Sequence, residues 1–178
     1  MKKLDCFLQR YRYRKARPEV KGRVLDIGCY DGSFLNELPG KGHQGIDARL
    51  EAIRPGLEQV ELAKYQPQQA FDTITCLATY EHFDHSNTQA FWDLAKRYVT
   101  PFGRVVMTVP HPLVDPIISA GKKLGLLDGM DEHQHRDVIH QSVLAKAHTH
   151  GFNLLKFERF QFGLNRLYVF ERKETACE

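Results

Sequence analysis

Hydrophobic residues fall along this chain in short clusters. Their spacing switches between the two-residue period of a strand and the three-to-four-residue period of a helix. Leu4, Phe7, Leu8 and Tyr11 recur at helical spacing and predict a basic N-terminal helix within residues 1–20, with these four side chains on its apolar face. Pro18 and Gly22 break that pattern, and "RVLDIG" then reads as a short buried strand from Val24 to Ile27. Phe34, Leu35 and Leu38 mark a helix that stops at Pro39 and Gly40, and "HQGIDA" reads as a second strand ending in Asp47. The next stretch, "RLEAIRPGLEQVELAKYQPQQ", is ambiguous: Pro55 and Gly56 cut any helix short, and "QVELA" could be a third strand. "FDTITCLA" is β-branched and apolar, hence a strand. "NTQAFWDLAKRYVTP" is a helix with Asn87 as N-cap and Phe91, Leu94, Ala95 and Tyr98 on one side. "GRVVMTVP" is another strand, and "DVIHQSVLAKAHTHGF" a helix closed by Gly151. The tail reads as two strands joined through Gly163, Leu164 and Asn165.

Strands that alternate with helices imply an α/β fold, a mainly parallel sheet covered on both faces. The tail is the exception, because a short turn joins only antiparallel strands. Residues 111–136 are the least regular part and follow a strand's C-terminal end, where such folds carry variable, substrate-side loops. The 178 residues, with 42% hydrophobic and 26% charged, fit a single ordinary domain spanning 1–178. No apolar run approaches the length of a membrane span, and the N-terminus lacks the apolar segment of a secretory signal. Cys6, Cys29, Cys76 and Cys177 are scattered without a C-x-x-C pair, the pattern of reduced thiols in a cytoplasmic protein.

Charge refines this picture. Residues 1–23 hold nine Lys or Arg against Asp5 and Glu19, a balance of +7, so the rest of a chain of net charge +3 sums to −4. A basic arm on an acidic body could meet nucleic acid or an anionic phospholipid surface, although a solvated helix face explains it more simply.

The chemistry concentrates in "RVLDIGCYDG". Gly28 and Gly32 allow a tight turn after the first strand, and a helix starting near Ser33 would aim its N–H groups at a ligand there. Asp47 lies nineteen residues beyond Gly28, where a carboxylate can accept from both hydroxyls of a ribose. The loop lacks the middle glycine of G-x-G-x-x-G and is no phosphate-binding G-x-x-x-x-G-K-[ST]. Acids at Asp26 and Asp31 favour a cationic ligand over phosphates.

"VLDIGCYDGSFLNEL" resembles the first motif of class I S-adenosylmethionine-dependent methyltransferases. "GIDAR" resembles their second-strand acid, "FDTITCLATYEHF" their fourth-strand block and "PFGRVVMTVP" their fifth strand. The resemblance covers about residues 20–172 and implies a Rossmann-like, doubly wound, mainly parallel seven-stranded sheet with an antiparallel C-terminal hairpin. It implies S-adenosylmethionine as cofactor and S-adenosylhomocysteine as product. Carried over by motif, Asp26, Gly28, Cys29, Tyr30 and Gly32 would cradle the methionine end. Asp47 would take the ribose, Ala48 would line the adenine, and Cys76, Leu77 and Ala78 would face the sulfonium. Two departures stand out: Tyr30 replaces a usual glycine, and the acid expected after the third strand falls at Leu62 or Ala63, where there is none.

Methyl transfer needs alignment of the reactants above all, and a base only when the acceptor must lose a proton. His82, just past the fourth strand, and His111, just past the fifth, are the candidate catalytic histidines. Asp131, Glu132, His133, His135 and Asp137 form a polar cluster, but H-x-H supplies only two metal ligands, so the cluster is read as a solvated loop and no metal is expected. The expected function is methylation, at oxygen, of a small polar metabolite, saccharide or lipid-linked precursor. A non-catalytic binding subunit, or an RNA methyltransferase using the basic arm, stands as the alternative.

Overall fold

The computed structural model of the chain describes residues 3–50, 54–111 and 140–173. Seven strands form one sheet: β1 (Val24–Ile27), β2 (Gln44–Asp47), β3 (Leu57–Gln59), β4 (Phe71–Leu77), β5 (Val99–Pro110), β6 (Phe152–Phe160) and β7 (Asn165–Arg172). Their spatial order is β3-β2-β1-β4-β5-β7-β6. The first five pair in parallel, while β7 runs antiparallel to both β5 and β6. The order reverses beside β1, so the crevice where a doubly wound sheet binds its ligand opens beyond the C-terminal ends of β1, β2 and β4.

The helices are α1 (Lys3–Ala16), α2 (Ser33–Asn36), α3 (His85–Tyr98) and α4 (His140–Thr149). On one face of the sheet, α3 and α4 bury Phe91, Trp92, Val143 and Ala147 against Ile74, Val105, Met107 and Phe170. Trp92 is fully buried and meets Phe91 and Phe170 edge-on at ring-centroid distances of 5.1 and 5.5 Å. Its indole N–H donates to the Tyr80 hydroxyl at 3.0 Å, so the one polar atom of a large apolar ring is satisfied. On the other face, Tyr13, Ala16, Phe34 and Leu38 pack against Val24, Val106, Leu167 and Val169.

Several elements differ from their sequence reading. The buried edge of α1 is Tyr13 and Ala16, with Tyr11 stacked on Phe160, whereas Phe7 is 61% exposed. The hydrophobic spacing at the start of the helix is real, but the sheet receives its C-terminal half. Part of the basic arm is tied to the body: Lys15 pairs with Glu158, and Glu19 bridges Lys156 at 2.8 Å and Arg104 at 3.8 Å. β3 is Leu57–Gln59 rather than residues 59–63, because the Gly45 N–H already holds the Gly56 carbonyl at 2.8 Å and starts the pairing there. Asp84, not Asn87, caps α3, its Oδ1 accepting from the Asn87 N–H at 2.7 Å. The turn between β6 and β7 is residues 161–164, and Asn165 already belongs to β7. α2 is a single turn, too short to add a useful dipole.

Candidate functional site

The segment after β1 does not continue the strand because of what surrounds Gly28. This residue sits at φ +76°, and a Cβ built on it would lie 2.2 Å from Thr79 Oγ1. Only glycine fits there, in both conformation and space. The Gly28 and Cys29 N–H groups both donate to the Ile46 carbonyl, at 2.8 and 3.1 Å, which binds the loop to the end of β2. Tyr30 follows at φ +53°, a left-handed conformation that explains why a glycine is usual at this point. Its N–H donates to Asp47 Oδ2 at 2.9 Å, and the Arg49 N–H donates to Asp47 Oδ1 at 2.7 Å. The carboxylate is thereby fixed in direction, and each oxygen keeps a second acceptor site.

A cleft of about 180 Å³ opens beside Gly28 and Asp47 at the C-terminal edge of the sheet. Gly28, Asp47, Ala48, Glu61, Thr79 and Asn87 line it. Glu61 is the residue that sequence reasoning missed. With "QVELA" read as a third strand, the position expected to carry the acid fell on Leu62 or Ala63. The strand ends at Gln59 instead, and the first acid past it reaches the cleft. Glu61 also pairs with Lys64 at 2.8 Å, as an exposed ion pair. A larger cleft of about 650 Å³ opens at the opposite edge of the sheet, among Arg17, Glu37, Lys41 and His43, away from the loop that follows β1.

The other expected positions divide into supports and bystanders. Asp26 is 3% exposed beneath the loop, and the Thr75 hydroxyl donates to its Oδ1 at 2.6 Å. Burial pushes the Asp26 carboxyl up to about 7; the Thr75 bond opposes this, and the Asp47 charge adds to it. Cys29 is buried, and burial pushes its thiol up to about 12, so it is a neutral packing group. Gly32 is buried at the start of α2, where Asp31 Oδ1 accepts from the Ser33 N–H at 2.9 Å. Leu77 packs toward the α1 face, and Ala78, at φ +54°, joins β4 to the turn carrying Thr79. Cys76 is wholly enclosed in the α3-side core, and the cleft lining does not include it. His82 is exposed on a 3-10 turn after β4 (Tyr80–His82). His111 is half-buried at the end of β5, its N–H held by the Leu164 carbonyl at 2.8 Å. The His133 and His135 cluster, with the rest of the 111–136 loop beyond His111, lies outside the described residues.

Residues 2–156 match the family model described as a methyltransferase domain. The chain belongs to the methyltransferase domain family. This family's cofactor is S-adenosylmethionine. The methyltransferase domain is 30% identical, over 145 residues, to a ubiquinone biosynthesis O-methyltransferase of Paracidovorax citrulli (strain AAC00-1). That match covers 70% of the chain and 60% of the relative, so the chain spans less than two thirds of that protein's length. Among solved structures, the domain superposes on the N-methyltransferase NodS from Bradyrhizobium japonicum WM9 in complex with S-adenosyl-L-homocysteine, with a TM-score of 0.64 and 15% identity over 97% of this chain and 89% of that one. It also superposes on an S-adenosylmethionine-dependent methyltransferase from Clostridium acetobutylicum ATCC 824, with a TM-score of 0.67 and 11% identity over 96% and 99% of the two chains. At these identities the likeness is one of fold, the seven-stranded sheet with its antiparallel C-terminal strands. Among the described residues, no helix is long and apolar enough to cross a membrane.

Proposed function

We propose that residues 1–178 act as one unit that transfers a methyl group from S-adenosylmethionine to an oxygen of a small polar acceptor: a metabolite, saccharide or lipid-linked precursor. The reading rests most on one observation, the meeting of the Gly28 turn, the fixed Asp47 carboxylate and Glu61 around one cleft. The free acceptor sites of Asp47 suit the two hydroxyls of a ribose, and Glu61 suits an adenine amino group. Ala48 would line the adenine, while Gly28, Cys29, Tyr30 and Gly32, braced from below by Asp26, would shape the loop against the methionine end. Leu77 and Ala78 would close the side nearest the sulfonium, with Cys76 packed behind them. When bound, S-adenosylmethionine supplies an electrophilic methyl on a positively charged sulfur. A cleft bordered by two carboxylates favours that charge.

Oxygen is the preferred acceptor atom because the curated relative is an O-methyltransferase. A hydroxyl acceptor has to lose a proton as the methyl arrives, and alignment supplies much of the remaining rate enhancement. His111, half-buried beyond β5, is the better placed base, and His82 is exposed on its turn. Glu61 also removes a reason for reading the chain as a non-catalytic subunit, since an acid past the third strand does line the cleft.

Calorimetric titration with S-adenosylmethionine, S-adenosylhomocysteine and NADH tests the reading. Micromolar binding of the first two alone is expected. Binding of NADH alone, or of none of the three, would overturn it.

A further inference from the structure

On the α3- and α4-covered face, β7 and β6 bring two arginines side by side. Arg166 and Arg159 are directly opposed in the antiparallel register, an arrangement that is unfavourable for like charges unless something offsets it. Arg159 is exposed, with its guanidinium 6.0 Å from the Phe157 ring centre. Arg166 is 5% exposed. Its Nη2 donates to the Pro110 carbonyl at 3.0 Å, one residue before His111, and its guanidinium also bonds the Tyr168 hydroxyl, while its Nε finds no hydrogen-bond partner among the described residues. His140, at the start of the described part of α4, packs on the neighbouring Tyr168–Phe157 row, with Nδ1 3.0 Å from the Tyr168 hydroxyl and its ring 4.6 Å from that of Phe157. Among the described residues, no carboxylate forms an ion pair with either arginine. The neighbouring Glu158 points to the other face, where it pairs with Lys15 and Lys156. A buried guanidinium with a spare donor and a second guanidinium beside it is a costly arrangement for a fold to keep without an anion.

We infer that Arg166 and Arg159 form the recognition site for an anionic group of the methyl acceptor, a carboxylate or a phosphate, held beside His111 at the C-terminal end of β5. The inference rests on the methyltransferase reading and narrows its acceptor to an acid. The forked donors of a guanidinium suit both anions. His140 is in keeping with a cationic pocket: burial first, then the charges of Arg166 and Arg159, pull its ring toward the neutral form.

The test is a titration of the whole protein, saturated with S-adenosylhomocysteine, with inorganic phosphate and with benzoate. Ionic strength is held constant, and chloride serves as the reference. Saturable binding of at least one anion beyond chloride is expected, and the anion that binds identifies the acceptor's acid class. Arg166→Gln should weaken that binding by about tenfold or more. The exposed Arg159→Gln, which leaves the core untouched, should weaken it by about threefold. Both variants should bind S-adenosylhomocysteine as the parent does. No saturable binding of either anion, or binding that Arg159→Gln and a folded Arg166→Gln leave unchanged, overturns the inference while the cofactor reading stands. Failure of S-adenosylhomocysteine itself to bind would instead count against that reading.

Discussion

The carboxylate of Asp47 accepts the backbone N–H of Tyr30 at 2.9 Å, so the end of β2 holds the loop after β1 in its left-handed turn. One side chain therefore serves two purposes, fixing the loop and presenting acceptors to the cleft. Asp47→Ala is expected to weaken S-adenosylhomocysteine binding by roughly 10- to 100-fold and to lower stability by about 1 kcal/mol. Calorimetry together with urea unfolding measures both. An unchanged affinity would remove Asp47 from the cofactor site.

Gly28 allows a sharper experiment. Its φ of +76°, and the 2.2 and 2.3 Å that would separate an added methyl group from Thr79 Oγ1 and Cγ2, leave alanine no place. Gly28→Ala should cost about 3 kcal/mol through combined strain and overpacking. Trimming the neighbour with Thr79→Gly should restore only the overpacking share. Full recovery in the double variant would show that the backbone conformation carries no strain.

Asp26 should leave a mark on the pH dependence of stability. Its folded value, about 7, lies above the ordinary value of about 3.9, so the folded protein binds this proton more tightly than the unfolded chain does. The contribution to stability is therefore complete below about pH 4 and is lost as pH rises through about 7. Asp26→Asn should gain on the parent across that window, by at most about 1.4 kcal/mol per pH unit, and be the more stable form at pH 8. Urea unfolding at pH 5, 6, 7 and 8 reads the difference, and a difference independent of pH would contradict the assignment.

Trp92 and Tyr80 form a buried polar pair within an apolar core. Trp92→Phe leaves the Tyr80 hydroxyl without that donor and opens space, a combined cost of about 2–4 kcal/mol. Adding Tyr80→Phe should be nearly neutral by comparison, giving a coupling of about 1 kcal/mol in a double-mutant cycle. Strict additivity would mean the 3.0 Å contact contributes nothing.

The strands with a clear apolar rhythm could be read from sequence, as could the Gly28-to-Asp47 step, because period and turn chemistry are local properties. β3 could not. Its three residues, Leu57–Gln59, are half-buried or exposed and carry no periodic signal, and the pairing of Gly45 with Gly56 decides its position. That shift of two residues hid Glu61. The face of α1 was missed for a related reason: helical spacing identifies a stripe, but which half of the stripe meets the sheet depends on partners such as Phe160 and Leu167, more than a hundred residues away. The opposed Arg159 and Arg166 were invisible until the β6–β7 register was known.

The place of β7 between β5 and β6 bears on how the chain can be made. During synthesis, β5 can pair with β4, but its other edge, along Val105, Val106 and Met107, stays open until residues 165–172 leave the ribosome, and Tyr11 waits nearly as long for its partner Phe160. An exposed apolar edge is a template for pairing with other chains. The nascent protein thus passes through a window in which a chaperone, or slow dilution during refolding, decides between the sheet and the aggregate.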